Sequence, residues 1–379
     1  MMLENMIRKE VREMPPSGIR KYFDIVNEME GVISLGVGEP DFVTPWNVRE
    51  AGIYSLEQGD THYSSNAGFI ELREEIAKYL YRKFDLKYNP KDEILVTVGG
   101  SEGIDIALRA LTGPGDEVVI PEPSFVAYKG CTAFTGATSK IINLKAENDF
   151  KLTAQELEEA ITEKTKVVII PFPNNPTGAL TDKEFIEKVL RKSLDTNTIV
   201  VIDESFLDFV KDNINYSSKE LLNQYNNLII VKSLTKFFAM PGARIGYGIC
   251  SNKNIIHKIN KVMVPWTVNI MATEGIIQGL KEKDYIENSI EYVNDEKEYL
   301  YSALKEISFI KVFEPSVNFI MFKILKNIDL KYELLRKKIL IRSCDNYIGL
   351  NNSFYRVAVR NREENNELIR QLKNILFDK

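Results

Sequence analysis

The chain is poor in the residues that build metal centres and disulfide scaffolds. Only two histidines, His62 and His257, occur in 379 residues. That argues against a histidine-based metal cluster or a serine–histidine triad. The cysteines, Cys131, Cys250 and Cys344, are odd in number and lack C-x-x-C spacing. They read as free thiols of a reducing cytosol rather than as disulfides or metal ligands. No uninterrupted apolar run approaches membrane-spanning length. The start, MMLENMIRKEVREM, is charged and lacks an apolar signal core. No basic block stands out, and a net charge of −5 with a pI near 5.5 argues against nucleic-acid binding. Repeats and low-complexity tracts are absent too.

What remains is an ordinary globular composition, 44% hydrophobic and 27% charged. Its length exceeds one ordinary core and predicts two domains. From residue 94 strands and helices alternate, the sign of a largely parallel α/β sheet. Strands are expected at 32–35, 94–98, 117–120, 140–144, 166–170, 198–202, 228–231 and 244–249. Helices are expected at 46–58, 71–84, 104–111, 153–161, 181–194 and 281–304, the last crossing between domains. Thr44-Pro45 reads as a cap followed by proline at the first helical position. Residues 1–30 read as helical with a break at Ser17-Gly18, and 261–272 as part of a long helical region. The tail returns to strand and helix character at 317–323, 330–338, 340–342, 354–359 and 363–376. The division predicted is a large domain over 46–284 and a smaller α+β domain over 285–379, with the N-terminal segment 1–45 part of the smaller one.

The most informative stretch is LIIVKSLTKFFAMPGARIGYGIC, residues 228–250. Two β-branched runs flank a polar turn, Ser233-Leu234-Thr235-Lys236, followed by Phe237 and Phe238. Lys236 is thus held among hydroxyls, apolar side chains and, eight positions on, Arg244. Desolvation and a neighbouring cation lower a lysine's pKa, and the neutral amine can attack a carbonyl to form a Schiff base. The hydroxyls and Arg244 suit a phosphate. A second anion-binding feature is Gly99-Gly100-Ser101-Glu102-Gly103, a glycine turn between a strand and a helix that can aim backbone N–H groups at an anion. Asp203, in Asp203-Glu204-Ser205-Phe206, lies at the C-terminal end of a strand, where a doubly wound sheet opens its ligand crevice. Phe125 follows another strand and could stack on a flat ring.

The segment S-L-T-K-F-F-x-x-P-G-x-R-x-G-Y resembles the cofactor-lysine segment of the class I/II aminotransferases, fold-type-I enzymes dependent on pyridoxal phosphate. Matching segments follow in family order over about residues 31–375. They are G-V-G-E-P-D-F at 36–42, Y-x-x-x-x-G-x-x-E-L-R from Tyr63, the glycine turn, N-P-T-G at 175–178, and Y-R-V-A-V-R at 355–360. The resemblance implies a mostly parallel seven-stranded sheet flanked by helices, plus the smaller domain. It implies that Lys236 carries pyridoxal 5′-phosphate, that Ser233, Arg244, Gly100, Ser101 and Glu102 bind its phosphate, and that Phe125 stacks on its ring. By the same resemblance Asn175 bonds the phenolic oxygen, Asp203 pairs with the ring nitrogen, and Tyr63 reaches the phosphate of the partner subunit in a homodimer. Arg356 matches the arginine for the substrate carboxylate, and the backbone at Gly38 lies near that carboxylate. Arg342 matches a position near the substrate anion in the histidinol-phosphate aminotransferase and threonine-phosphate decarboxylase branches, or is a surface arginine; Arg360 reads as solvated. Phe206 departs from the tyrosine that many members have there.

The front half looks like aromatic or alanine-type aminotransferases. The back third, including P-W-x-V-N at 265–269, looks like the two phosphate-substrate branches. The function implied is a cytoplasmic, ping-pong transfer of an amino group between an amino acid and a 2-oxo acid, with no nucleic-acid or membrane partner. The alternatives are a threonine-phosphate decarboxylase-like lyase and a non-catalytic, ligand-sensing regulator. Acidic charge argues against the regulator.

Overall fold

The computed structural model describes residues 6–14 and 29–377. The helical expectation for 1–30 therefore falls mostly outside the described residues, within which Lys9–Arg12 forms a short helix.

The seven-stranded sheet is built from β2 (Ile94–Thr97), β3 (Glu117–Glu122), β4 (Thr138–Asn143), β5 (Thr165–Pro171), β6 (Ile199–Asp203), β7 (Leu228–Ser233) and β8 (Gly246–Ile249). Their order across the sheet is β2-β8-β7-β6-β5-β3-β4. Only β8 runs antiparallel to its neighbours. The expected largely parallel sheet is borne out. The chemistry of the central strands explains their position. Val167, Val168, Ile169 and Ile170 are almost wholly covered, as are Val200, Val201 and Ile202. Parallel strands carry helices on both faces, so both faces of each strand must be apolar. Each such side chain contributes about 1.5–3 kcal/mol on burial.

Helices close the crossovers where the sequence supplies a start. Thr153 and Glu156 form a reciprocal capping box on the helix Ala154–Ala160. The Asp182 carboxylate accepts from the amide of Phe185 to open the helix Lys183–Asp195. Two expectations need correction. Pro45 occupies the N-cap of the helix Trp46–Glu57, not its first position, and the Thr44 hydroxyl donates to the carbonyl of Ala239 instead of capping. The region 261–272 is not continuous helix. The helix Lys253–Val262 stops and Ile270–Gly279 starts after a non-helical link.

A second sheet, ordered β12-β13-β10-β9, comprises β9 (Ile310–Val312), β10 (Phe319–Ile324), β12 (Arg342–Ser343) and β13 (Phe354–Ala358). Beside it, β1 (Ile33–Ser34) pairs in parallel with β11 (Ile339–Leu340). Leu35 accordingly shares an apolar cluster with Leu300, Phe322, Tyr355 and Leu372. The long helix Lys283–Lys305 contributes Val293 to the core of the large sheet and Leu300 and Leu304 to this second cluster. Among the described residues, no helix is long and apolar enough to cross a membrane.

Candidate active site

A cleft of about 440 Å³ opens at the C-terminal ends of β5 and β6. It is lined by Gly100, Ser101, Phe125, Tyr128, Pro173, Asn175, Asp203, Ser205, Phe206 and Lys236. Six residues nominated from the sequence, drawn from five separate segments, thus meet in one place.

Lys236 sits in the turn after β7, partly buried, with its ammonium donating to Ser233 Oγ at 3.1 Å. The Ser233 and Thr235 hydroxyls lie 2.9 Å apart. Burial pushes the lysine below its ordinary pKa. The Asp203 carboxylate opposes that shift, and the Arg244 cation adds to it. No ion pair among the described residues involves Lys236. Its Nζ lies 5.9 Å from the centre of the Phe206 ring.

Asp203 ends β6 and is 9% exposed. Oδ2 accepts from the Tyr128 hydroxyl at 2.9 Å, and Oδ1 accepts from the Ser205 amide at 2.9 Å. Phe125 packs edge-on against Tyr128. Asn175 follows Pro173 in the loop after β5, and its Oδ1 accepts from the Arg356 guanidinium.

The glycine turn is not a turn preceding a helix. It forms the first helical turn itself, since the helix spans Gly99–Leu111. The amides of Gly100, Ser101 and Glu102 are therefore among those a helix leaves without internal partners. A side chain at Gly99, where φ is +77°, would come within 2.7 Å of the Arg244 guanidinium, and one at Gly100 within 2.7 Å of Ser205 Oγ. This corner is a backbone cradle that a Cβ would fill, with a guanidinium beside it. Arg244 adopts φ +54° and donates to the Pro241 carbonyl at 2.9 Å. The expected strand at 244–249 consequently begins two residues late, at Gly246. Asn269 caps the helix Ile270–Gly279 and donates to the Ala243 carbonyl at 3.0 Å, steadying this loop.

Glu102 contributes differently from its neighbours. Its carboxylate accepts from the Val98 amide at 2.5 Å and is pushed above its ordinary pKa by burial. That side chain ties the strand end to the helix; only its backbone amide suits an anion.

The arginines come from the second sheet. Arg356 is 5% exposed, donates to the Gly36 carbonyl at 2.7 Å and lies 5.0 Å over the Phe319 ring. Arg342 stands directly across the β12–β13 pair from Arg356. It is 9% exposed and donates to Asn346 Oδ1 at 2.8 Å, so the surface reading of Arg342 is wrong. Gly38 accepts at its carbonyl from Asn318 at 3.1 Å, and a Cβ there would meet Phe319 at 3.3 Å and Phe206 at 3.7 Å. Arg360 is half-buried and paired with Glu364 at 2.7 Å, not solvated. Tyr63 does not reach the cleft: it is 81% exposed and stacks on Trp266 with ring centres 4.5 Å apart.

Sequence reasoning missed Tyr128 and Ser205. Ser205 stood within a quoted motif. Tyr128 lies three positions after Phe125, and the turn that opens the helix Ala127–Thr135, closed by the Tyr128 amide donating to the Phe125 carbonyl at 3.2 Å, brings it to the same cleft.

The family follows from the whole chain. Residues 30–372 match a model of aminotransferase class I and II. A Bacillus subtilis (strain 168) protein, provisionally named aminotransferase YugH, is 38% identical over 335 residues, 87% of this chain and 86% of that one. A Caldanaerobacter subterraneus protein, provisionally named threonine-phosphate decarboxylase, is 36% identical over 85% of each chain. The crystal structure of the histidinol-phosphate aminotransferase from Clostridium acetobutylicum superposes with a TM-score of 0.79 at 29% identity, covering 92% of this chain and all of that one. The chain belongs to the class I and II aminotransferases. It is an aminotransferase of fold type I that depends on pyridoxal phosphate.

Proposed function

We propose that Lys236 is the lysine that holds pyridoxal phosphate and moves the proton, and that the enzyme transfers the amino group of an amino acid to a 2-oxo acid by a ping-pong route. One observation carries this: a partly buried lysine without a carboxylate ion pair shares a cleft with a buried aspartate, across a backbone cradle flanked by arginine. The residues fit the cofactor. The amides of Gly100, Ser101 and Glu102, the hydroxyl of Ser233 and the guanidinium of Arg244 would hold its phosphate. Phe125 would cover the ring, Asn175 would bond the phenolic oxygen, and Asp203 would face the ring nitrogen.

Bound there, pyridoxal phosphate supplies an electron sink that acidifies the substrate's α-hydrogen. The protein does the rest. Arg356 grips the substrate carboxylate through its planar fork, with the Gly38 backbone beside it, and so fixes which α-bond faces Lys236. Lys236, lowered in pKa by burial, would take the proton from the substrate's α-carbon as general base and return it as general acid to the cofactor's C4′. Phe206 and Phe319, packed edge to face at 5.1 Å, exclude water from that side.

A homodimer completes the site in this reading. Tyr63 and Trp266 are exposed, and so are Trp46, Ile53 and Tyr54 on the helix Trp46–Glu57. Such aromatic exposure marks an interface, through which Tyr63 would reach the partner's phosphate. The division into domains at 46–284 and 285–379, with 1–45 attached to the smaller, is proposed on the two larger sheets, the seven strands of one lying within 94–249 and the four of the other within 310–358. Three buried free thiols fit the cytoplasm.

A second reading is α-decarboxylation of a phosphorylated amino acid. Two buried arginines side by side across one strand pair favour a substrate with two anionic groups, one on Arg356 and the other on Arg342. The test is an absorbance titration of the cofactor-loaded protein with amino acids, histidinol phosphate and threonine phosphate. Transamination converts the bound cofactor to its amine form with one of these donors. Consumption of threonine phosphate with carbon dioxide release and no amine form would establish the lyase instead.

A further inference from the structure

Asp203 is held from three sides. Its backbone is fixed in the sheet, where it pairs with Pro171 on β5 and its carbonyl accepts from the Phe172 amide at 2.9 Å. Oδ1 accepts from the Ser205 amide, and Oδ2 accepts from the Tyr128 phenol. The first two anchors are backbone and follow from the fold. The third is a side chain 75 positions away in sequence, on the helix Ala127–Thr135.

Tyr128 is 1% exposed, and its ring packs edge-on against Phe125, 5.6 Å between centres. Its orientation is therefore set by packing before any ligand arrives. We propose that Tyr128 is a positioning residue, whose phenol fixes the Asp203 carboxylate in the orientation that serves the ring nitrogen of the cofactor. This rests on the assignment of Asp203 proposed above. The phenol suits the task because burial and the neighbouring carboxylate push its pKa well above the ordinary tyrosine value. It remains a hydrogen-bond donor throughout the working pH range and never competes for the proton it helps to place. Without it, Oδ2 has no protein donor among the described residues, and the carboxylate is pinned through one oxygen only.

The effect runs through the ring nitrogen, so it can be separated from packing. Dissociation constants for the full chain are measured with pyridoxal phosphate and with its 1-deaza analogue, which replaces that nitrogen by carbon. The unsubstituted protein should prefer pyridoxal phosphate, and Tyr128→Phe, which keeps the ring, should shrink that preference about tenfold, the scale of one hydrogen bond to a charged group. A preference unchanged in the variant, whether or not both ligands bind more weakly, overturns the proposal: the tyrosine is then a packing residue. No preference in the unsubstituted protein would instead remove the Asp203 assignment, and this inference with it. If Tyr128→Phe does not fold, 3-fluorotyrosine at the position keeps the ring and strengthens the donor. The preference should then grow, and a constant preference contradicts the proposal.

Discussion

Lys236 and Lys219 are both withdrawn from water, and both fall below the ordinary lysine pKa chiefly because of burial. What faces them differs. Lys219 is wholly covered, ion-paired to Glu204 and further bonded to Ser217. Close by, Lys232 pairs with Asp208 at 2.9 Å, and Lys83 approaches the same carboxylate at 3.7 Å. Lys236 has a hydroxyl for a partner and open space ahead of it. Buried lysines answered by carboxylates are fixed structural charges, costly to break. A lysine left with a hydroxyl and a cleft can shed its proton and react. The two kinds are separated by one peptide bond on the acid side too: Asp203 lines the cleft, and Glu204 turns to Lys219.

The sharpest way to break this contrast is to remove Lys236 and, separately, the anion that faces Lys219. Lys236→Ala should cut transamination by about 10²- to 10⁴-fold from loss of the proton carrier alone, and leave folding intact. Steady-state kinetics with any accepted donor checks this. Glu204→Gln should do the converse. It leaves the Lys219 ammonium buried without an anion, at about 3–5 kcal/mol, visible in denaturant unfolding, while bound-cofactor absorbance persists at saturation. If Glu204→Gln is as stable as the parent, the structural half of the comparison fails.

Smaller effects sharpen it. Arg244→Ala should weaken cofactor binding about 10- to 100-fold, as expected for a charge-assisted contact to phosphate. Arg356→Lys should raise KM for the amino acid about tenfold with a lesser effect on kcat, because a point charge cannot reproduce the planar fork.

A pH slope tests the structural lysine separately. Lys219 is lowered to about 8 in the folded protein, from 10.5 when exposed. Between those values the unfolded chain holds the extra proton, so stability rises with pH across that window. Below about pH 8 the cost of burying the charge is fully present. Urea midpoints from pH 8 to 10 should climb in the parent relative to Lys219→Met, and a difference independent of pH would show that Lys219 keeps its ordinary titration.

The sequence made the cleft side legible because its residues sit at strand ends beside turn formers and hydroxyls, in a fixed order. Lys236, Asp203 and Asn175 were read that way, as were the strands that carry them. The buried ion pairs were illegible for the opposite reason. Lys219 lies in an unremarked polar run, 15 positions from Glu204, which was quoted only as the neighbour of Asp203, and only the fold brings them together. Tyr128 was overlooked because it lies on a helix and its partner stands 75 positions on, at the end of β6. Glu102 was grouped with Ser101 by position, yet its side chain turns back to Val98. Helix ends moved where local chemistry was misjudged: glycines at 99 and 100 entered the helix because its first turn requires no intrahelical acceptor for its amides, and Arg244 in the left-handed region delayed β8.

The account stands on Lys236 being the reactive lysine. Borohydride reduction of the cofactor-loaded protein, followed by peptide mass spectrometry, tests it directly. The cofactor should be fixed on the peptide containing Lys236, with none on those containing Lys219 or Lys232. Label on either of those lysines, or none on Lys236, would contradict the account.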